Sequence, residues 1–240
     1  HLMNKAGPSW LRIGAEFLII VAGVSISLAA ERWRQATEDR EAEQTLLSGL
    51  EVDLESDAGE LEALARNARN WDRTAQWVSL NEDRSDVPTD SVALMFQPFG
   101  VTSFYQPVRA AYSGAIGSGG ISLILEDSLR MAVINYYEVR QPWILQFFNL
   151  VFDNWRKWYD ISAPYLNWGI QPSDTTMFAA IRSSNPPELR ESWTTISSDA
   201  AFMGHIDITG MLGGNASLRI DQALAENRAL RERIRAQLER

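Results

Sequence analysis

The sequence predicts an all-α protein in which one N-terminal transmembrane helix continues into the long helix of a helical-bundle soluble domain. Two observations lead to this prediction. Residues 13–30 form an apolar segment, and behind it apolar residues recur at alternating steps of three and four. No proline interrupts residues 9–87, so a single helix can contain both patterns.

The same patterns divide the chain into a tail, a membrane segment and a folded domain. We expect a short tail at 1–9, the transmembrane helix at 10–33 and an extracytoplasmic helical domain at 34–240. Inside the domain we expect a long helix at about 34–79, central helices at about 89–160, a loop-rich stretch at 162–200 and a C-terminal helix at about 215–240.

The apolar segment is long enough for a membrane anchor. As a helix, residues 13–30 extend over ~27 Å at ~1.5 Å per residue, close to the ~30 Å hydrocarbon core. Its single charge, Glu16, lies one turn from Arg12, which can pair with it. Trp10 and Trp33 flank the segment, where interfacial aromatic residues are common.

Small residues give the predicted anchor a surface that another helix can approach. Gly23 and Ser27 lie one turn apart in the middle of the segment. Ordinary membrane-helix composition explains them equally well.

A cleaved signal peptide is the competing interpretation. Lys5 and Arg12 would form its basic region, residues 17–24 its apolar region, and Ser27-Leu28-Ala29 its cleavage site. The charge-free run, 17–30, is short, which favours this alternative. The anchor is preferred because the apolar segment continues without a turn signal into more helix.

The basic residues suggest an orientation. Lys5 and Arg12 lie in a tail without acids, and Arg32, Arg34 and Arg40 lie on the other flank, so counting alone does not decide. We expect the tail on the cytoplasmic side of a bacterial cytoplasmic membrane and the acidic domain in the periplasm.

A heptad-like seam follows the membrane segment. Its ten positions are apolar except for Asp57: Leu47, Leu50, Leu54, Asp57, Leu61, Leu64, Ala68, Trp71, Ala75 and Val78. The seam can pack in an antiparallel pair with the amphipathic stretch 215–240, or in a homodimeric stalk. Nearby acids are interpreted as a solvated face: Glu51, Asp53, Glu55, Glu60 and Glu62.

Turn and capping signals divide the middle of the chain. Thr89 or Asp90 is expected to cap a short helix through Phe96, and Asp127 or Ser128 to cap the next one, which Pro142 ends or kinks. Short helices are expected near 174–182 and 188–197.

An aromatic segment follows Pro142. Helical spacing over 143–159 aligns Trp and Phe side chains on a wide face, which favours the bundle core and, second, a protein-binding or membrane-surface face. The candidate interface residues are Trp143, Phe147, Phe148, Trp155 and Trp158.

No motif indicates catalysis, so we expect neither enzyme activity nor a cofactor or metal site. The chain has no cysteine, and His205 with Asp207 lacks a nucleophile motif, so a capped or buried histidine is expected. The Gly-rich stretch 114–120 lacks the lysine of a phosphate loop and is interpreted as a turn that needs positive φ or close backbone approach. A net charge of −9 argues against nucleic-acid binding.

The stretch GAEFLIIVAGVSISLAAERWRQ near the start and the stretch SGGISLILEDSLRMAVINYY in the middle together resemble an uncharacterised bacterial family of single-pass membrane proteins. The resemblance covers roughly 10–80 and 95–140, and the membrane exit Ala29-Ala30-Glu31-Arg32 departs from the usual Gln and Asn. It implies a membrane-anchored helical domain and no known activity. The matching positions are Glu16, Trp33, Ser118, Gly119, Leu123, Ile124, Leu129, Arg130, Tyr136 and Tyr137.

The leading hypothesis is a non-enzymatic accessory subunit. It would contact membrane lipid and larger integral membrane subunits, for example of a respiratory or photosynthetic assembly, and brace them with its soluble domain. The alternative is a sensor or ligand-binding domain on a helical stalk, which predicts a homodimer through the 47–78 seam and a pocket near 113–130.

Overall fold

The computed structural model describes residues 9–100, 104–169 and 186–239, and only the backbone of residues 9–13 and 15. These residues form a helical bundle with one two-residue strand pair. The predicted all-α class is confirmed. The transmembrane nature of the first helix remains a prediction.

The first helix, α1, runs without a break over Ser9–Asn81. An unbroken helix of this length follows from the absence of proline over 9–87. Its second half forms the spine of the bundle, and its first half extends away from it as an arm, defined here as residues 14–40, where every described side chain is exposed.

Short helices wrap around this spine. They are α2 (Thr89–Phe96), a 3₁₀ turn (Gln97–Gly100), α3 (Ala110–Ser118) and a second 3₁₀ turn (Gly120–Leu123). The predicted caps are wrong, because α2 has Pro88 at its N-cap and the helix that starts at Asp127 has Glu126, neither with a side-chain capping bond.

Pro142 is accommodated without a break. Helix α4 (Asp127–Asn135) passes through a π-helical turn, Tyr136–Arg140, into α5 (Gln141–Ser162), where the proline occupies the first turn. Because the helix continues from α4 through the π turn, Pro142 cannot donate the backward hydrogen bond of an ordinary residue, and it lies directly after the turn where the regular bonding pattern is already interrupted. The π turn shifts the helical register of the residues that follow it.

The chain then forms a small antiparallel sheet. Strand β1 (Leu166–Asn167) pairs with β2 (Glu188–Leu189), with Leu166 opposite Leu189. The helix expected near 188–197 is therefore wrong in its first half, and α6 covers only Trp193–Ser197. The helix expected near 174–182 lies outside the described residues.

The last helix, α7 (Ala200–Leu238), starts well before the expected residue 215. Asp199 caps it, since its carboxylate accepts hydrogen bonds from the N–H groups of Ala201 (2.8 Å) and Phe202 (3.0 Å). Several glycines lie in the first part of α7, and glycine usually weakens a helix. For this reason the sequence did not predict a helix before residue 215.

Those glycines let α7 approach α1 closely. A Cβ atom added at Gly213 would lie 2.7 Å from the carbonyl oxygen of Ala68, and one at Gly210 would lie 2.3 Å from the Cβ atom of Ala75. Both distances are shorter than a carbon contact permits. The helix therefore loses intrinsic propensity at these positions and gains tight packing.

Two hydrophobic clusters result from this packing. One is rich in aromatic rings and lies between α5, the first half of α7 and the end of α1. The other joins Leu47, Leu50 and Leu54 of α1 to α3, α4 and the end of α7. The buried acids described below, Glu43, Asp53 and Asp57, belong to α1.

Candidate functional site

The arm of α1 is a continuous apolar surface that the described bundle leaves uncovered. Ile19 is 71% exposed and Leu28 is 55% exposed, and their apolar neighbours between them are exposed as well. Surfaces of this kind on a folded protein mark contacts with another protein or with lipid. Within the described residues, no helix holds a stretch that is both long and apolar enough to cross a membrane.

The predicted anchor residues all belong to the arm or its start. Glu16, Gly23, Ser27 and Trp33 are exposed, and Trp33 reaches 76%. The side chains of Trp10 and Arg12 lie outside the described residues. The hydroxyl of Ser27 donates to the carbonyl oxygen of Gly23 at 2.9 Å, so that donor is satisfied within its own helix.

The seam of α1 is covered by the same chain. All ten of its positions are buried, including the polar one, Asp57. Helix α7 provides most of the cover, and the amide nitrogen of Asn227 donates to the carbonyl oxygen of Leu54 at 2.9 Å. A seam buried in this way has no free face for a second copy of α1.

Asp57 is the centre of a buried hydrogen-bond cluster. Its carboxylate accepts from the hydroxyl of Tyr105 at 2.9 Å and from that of Tyr136 at 2.5 Å. The N–H of Val108 approaches the same carboxylate at 3.4 Å, and Asn227 donates to the Tyr136 oxygen at 2.9 Å. Through these hydrogen bonds, the cluster around the Asp57 carboxylate connects α1, the loop before α3, the π turn and α7.

Two further acids of α1 hold backbone amides. Asp53 accepts from the N–H groups of Ala111 (2.7 Å) and Tyr112 (3.4 Å), and so caps α3 from another helix. Glu43 accepts from the N–H of Leu125 at 2.8 Å. The solvated-face interpretation is thus wrong for Asp53, which is buried, because α3 has no capping side chain of its own.

The tyrosines around these acids stay protonated. Burial, followed by the nearby Asp57 charge, raises the pKa of Tyr105 and of Tyr136 far above the ordinary value. Burial and Glu138 raise the pKa of Tyr112 to about 12. Since each phenol keeps its proton, the Asp57 cluster acts as a fixed set of donors around a carboxylate, which suits fold cohesion more than proton transfer.

Tyr112 and Tyr137 form a stacked pair beside the cluster. Their rings are 4.4 Å apart and nearly parallel, at 6°. Both hydroxyls are buried without a hydrogen-bond partner in the described part of the chain.

His205 is buried, as predicted. It stacks on Trp158 with ring centroids 5.9 Å apart, and its Nε2 has no partner among the described residues. Burial, together with the charge of Lys157, lowers the pKa of His205, while a hydrogen bond with the Asn154 backbone partly opposes the shift. A neutral imidazole packed on an indole is a core residue.

The aromatic segment of α5 divides into a buried and a half-exposed part. Phe148, Trp155 and Trp158 belong to the core, so the interface prediction is wrong for these three residues. The rings of Trp155 and Trp158 pack on the 3₁₀ turn that follows α2, and Trp155 donates to the carbonyl oxygen of Phe99 at 3.0 Å. Trp143 and Phe147 are half-exposed and remain available to a partner.

The Gly-rich stretch forms the end of α3 and the turn after it. Gly119 has a φ of 75° and closes α3, which confirms the prediction of a position that needs positive φ. In the described residues, no group of three or more His, Cys, Asp or Glu side chains is arranged to hold a metal ion.

No sequence pattern predicts that Glu43 and Asp53 bind backbone amides. Nor does any pattern predict that Arg219 lies over Trp143 and Phe147. Only Asp57 carried a usable signal, because it interrupts an apolar seam.

No protein-family model matches the chain, and no curated protein or solved structure is significantly similar to it.

Proposed function

We propose that this protein is a non-enzymatic accessory subunit, anchored by the arm of α1 in a bacterial cytoplasmic membrane and packed against a larger integral membrane complex. Membrane lipid and the integral subunits are its proposed partners. Its helical domain braces that complex from outside the bilayer.

The exposed arm is the observation that carries the proposal. Residues 17–30 contain no charge, and the described bundle does not fold back over them. Leaving such a surface in water costs roughly 25 cal/mol per Å² of apolar area. Lipid or a neighbouring membrane helix removes that cost.

The length of the run favours packing beside another protein. Fourteen residues, 17–30, extend only ~21 Å, less than the ~30 Å hydrocarbon core. Glu16 therefore approaches the hydrocarbon boundary, where acids are tolerated when they are partnered. The exposed Gly23 offers a close approach for a second helix.

The bundle supports a bracing role. Its buried acids, Glu43, Asp53 and Asp57, hold backbone amides or tyrosine hydroxyls, which makes them structural. The stalk alternative needs the 47–78 seam for dimerisation, whereas that seam is buried within one chain.

The proposed topology keeps the tail in the cytoplasm. Lys5 lies in this tail and Arg12 at the start of the membrane helix, with no acid before Glu16, and a positively charged flank remains on the cytoplasmic side. The folded domain is then periplasmic.

Membrane extraction tests the anchor. The full chain should sediment with membranes, resist alkaline carbonate and dissolve in detergent. The double variant Ile20→Glu with Val24→Glu should become extractable by carbonate, because two charges in the centre cost about 5 kcal/mol or more. Val52→Glu is the control, since Val52 is an exposed apolar residue of α1 beyond the arm, 64% exposed, and should not change the distribution.

Purification in mild detergent tests the accessory role. An affinity tag after the C-terminus should retain integral membrane proteins at a fixed ratio, and a single cysteine at Gly23 should cross-link to one of them. A wild-type chain that washes from membranes refutes the anchor. A chain that is membrane-bound but purifies alone refutes the accessory role.

A further inference from the structure

A guanidinium without an ion pair in the described part of the chain lies over the half-exposed aromatic residues of α5. The Arg219 guanidinium carbon is 4.4 Å from the centre of the Trp143 ring and 5.2 Å from that of Phe147. Its Nε is buried without a hydrogen-bond partner, and no carboxylate among the described residues forms an ion pair with it.

Three other arginines of the bundle form ion pairs with acids, whereas Arg219 has none among the described residues. Arg140 also approaches the Trp143 ring, at 5.6 Å, but forms an ion pair with Glu226. Arg231 pairs with Glu55, and Arg235 pairs with Glu51. Among the described residues, the guanidinium of Arg219 therefore contacts aromatic faces and has no carboxylate within ion-pair distance.

The residues around Arg219 form an open groove between α5 and α7. Its volume is about 410 Å³, and it is lined by Trp143, Gln146, Phe147, Leu150 and Arg219. Leu150 is 56% exposed at one end of the groove. Apolar walls with one cation and one amide suit an occupant that has an acid beside an apolar side chain.

The distance of the groove from the membrane decides whether its occupant is a lipid or a protein. The guanidinium of Arg69 pairs with Asp221 at 3.1 Å, so this part of α7 is level with residue 69 of α1. At ~1.5 Å per residue, that level lies ~58 Å beyond Ala30. A helix tilt of up to ~40° still leaves it more than ~40 Å above the apolar run, outside the headgroup layer.

From these observations we infer that the groove binds a protein segment that presents an Asp or Glu carboxylate next to an apolar side chain. The carboxylate pairs with Arg219, and the apolar side chain packs on Trp143, Phe147 and Leu150. This inference rests on the proposed function, since the segment belongs to a periplasmic part of the partner complex.

Site-specific cross-linking in native membranes tests it. The full chain carries p-benzoylphenylalanine in place of Leu150, and the cross-linked peptide is mapped by mass spectrometry. We expect a protein that also purifies with the wild type, cross-linked within one helical turn of an Asp or Glu. The same probe in place of Leu94, an exposed residue of α2, is the position control.

Charge variants make the test specific. Arg219→Glu should lower the Leu150 cross-link about tenfold or more, as expected when one member of a desolvated ion pair is reversed, and Arg219→Gln should lower it less. Arg228→Glu, an exposed charge reversal on the same helix, should leave it unchanged. Thermal unfolding of each variant identifies loss of folding.

The outcomes separate this inference from the proposed function. A lipid adduct, a cross-linked segment without an acid, no cross-link above the Leu94 control, or a yield that folded Arg219→Glu leaves unchanged refutes the groove. If membrane retention and co-purification persist in that case, the accessory role stands without it.

Discussion

The hydroxyl of Tyr136 donates a 2.5 Å hydrogen bond to the carboxylate of Asp57, and both residues are buried between α1 and the π turn. The bond joins a residue in the middle of the longest helix to the residue where α4 changes into its π turn. Since Asn227 of α7 donates to the same tyrosine oxygen, three separate segments meet at this point.

Removing the Asp57 carboxylate should destabilise the fold severely. Asp57→Ala leaves the Tyr105 and Tyr136 hydroxyls without their acceptor, at about 1–3 kcal/mol for each buried group. We expect a total loss above about 3 kcal/mol, and a smaller loss of about 1–2 kcal/mol for Tyr105→Phe. Urea unfolding of the full chain in mild detergent measures both.

The matched control is Asp221→Ala, which breaks an exposed ion pair with Arg69 and should cost less than about 1 kcal/mol. Equal losses for Asp57→Ala and Asp221→Ala would contradict the central role of the buried carboxylate.

Two glycines of α7 should respond oppositely to alanine. Gly213→Ala places a Cβ against the Ala68 carbonyl oxygen and should cost about 1–3 kcal/mol through overpacking. Gly204→Ala meets nothing within 4 Å and should stabilise the helix by about 0.5–1 kcal/mol. Thermal unfolding of both variants checks the sign, and stabilisation by Gly213→Ala would disprove the close approach of α1 and α7.

Stability should fall on mild acidification because of His205. Its pKa is lowered by burial and by Lys157, so the unfolded chain, with a histidine pKa near 6.5, binds the proton first as the pH falls. The free energy of unfolding should therefore decrease from about pH 7 through 6.5 down to the lowered pKa, and this contribution should stop changing below it.

His205→Gln removes the titrating group and should flatten the profile between about pH 7.5 and 5.5. Urea unfolding at several pH values measures the slope. An identical slope in the wild type and in His205→Gln would show that the imidazole contributes nothing in this window.

The seam of α1 can be tested with single cysteines, since the chain has none of its own. Leu54→Cys should resist maleimide until the bundle is unfolded, because Leu54 is fully buried beneath α7. Val52→Cys, on the exposed side of the same helix turn, should react at once. Rapid disulfide formation between two chains through Leu54→Cys would instead support the stalk dimer.

Much of the fold could be predicted from local patterns. Leu54, Leu61 and their seam neighbours identified the buried face of α1, because helical periodicity places such residues on one side. Asp57 stood out only as an exception on that face. The start of α7 at Ala200 was missed, since Gly210 and Gly213 weaken a helix unless another helix packs against them.

For the candidate sites too, local sequence patterns predict some features and tertiary contacts decide the others. Exposure of the arm was expected from its sequence, but the separation of Trp143 and Phe147 from the buried Trp158 was not. All these rings share the helical spacing of α5, so their spacing does not tell which of them α7 and the loop after α2 cover. Arg219 carried no sequence signal, because its aromatic partners are distant in the chain.

By itself, the amino-acid sequence determined the helical class, the unbroken α1 and its two faces, since these depend on propensity and periodicity along one segment. Only the tertiary structure decided which acids are buried, how closely α7 approaches α1 and which aromatic rings lie under the Arg219 guanidinium. Those properties depend on groups far apart in the chain, whose desolvation and pairing are set by contacts that no local pattern encodes.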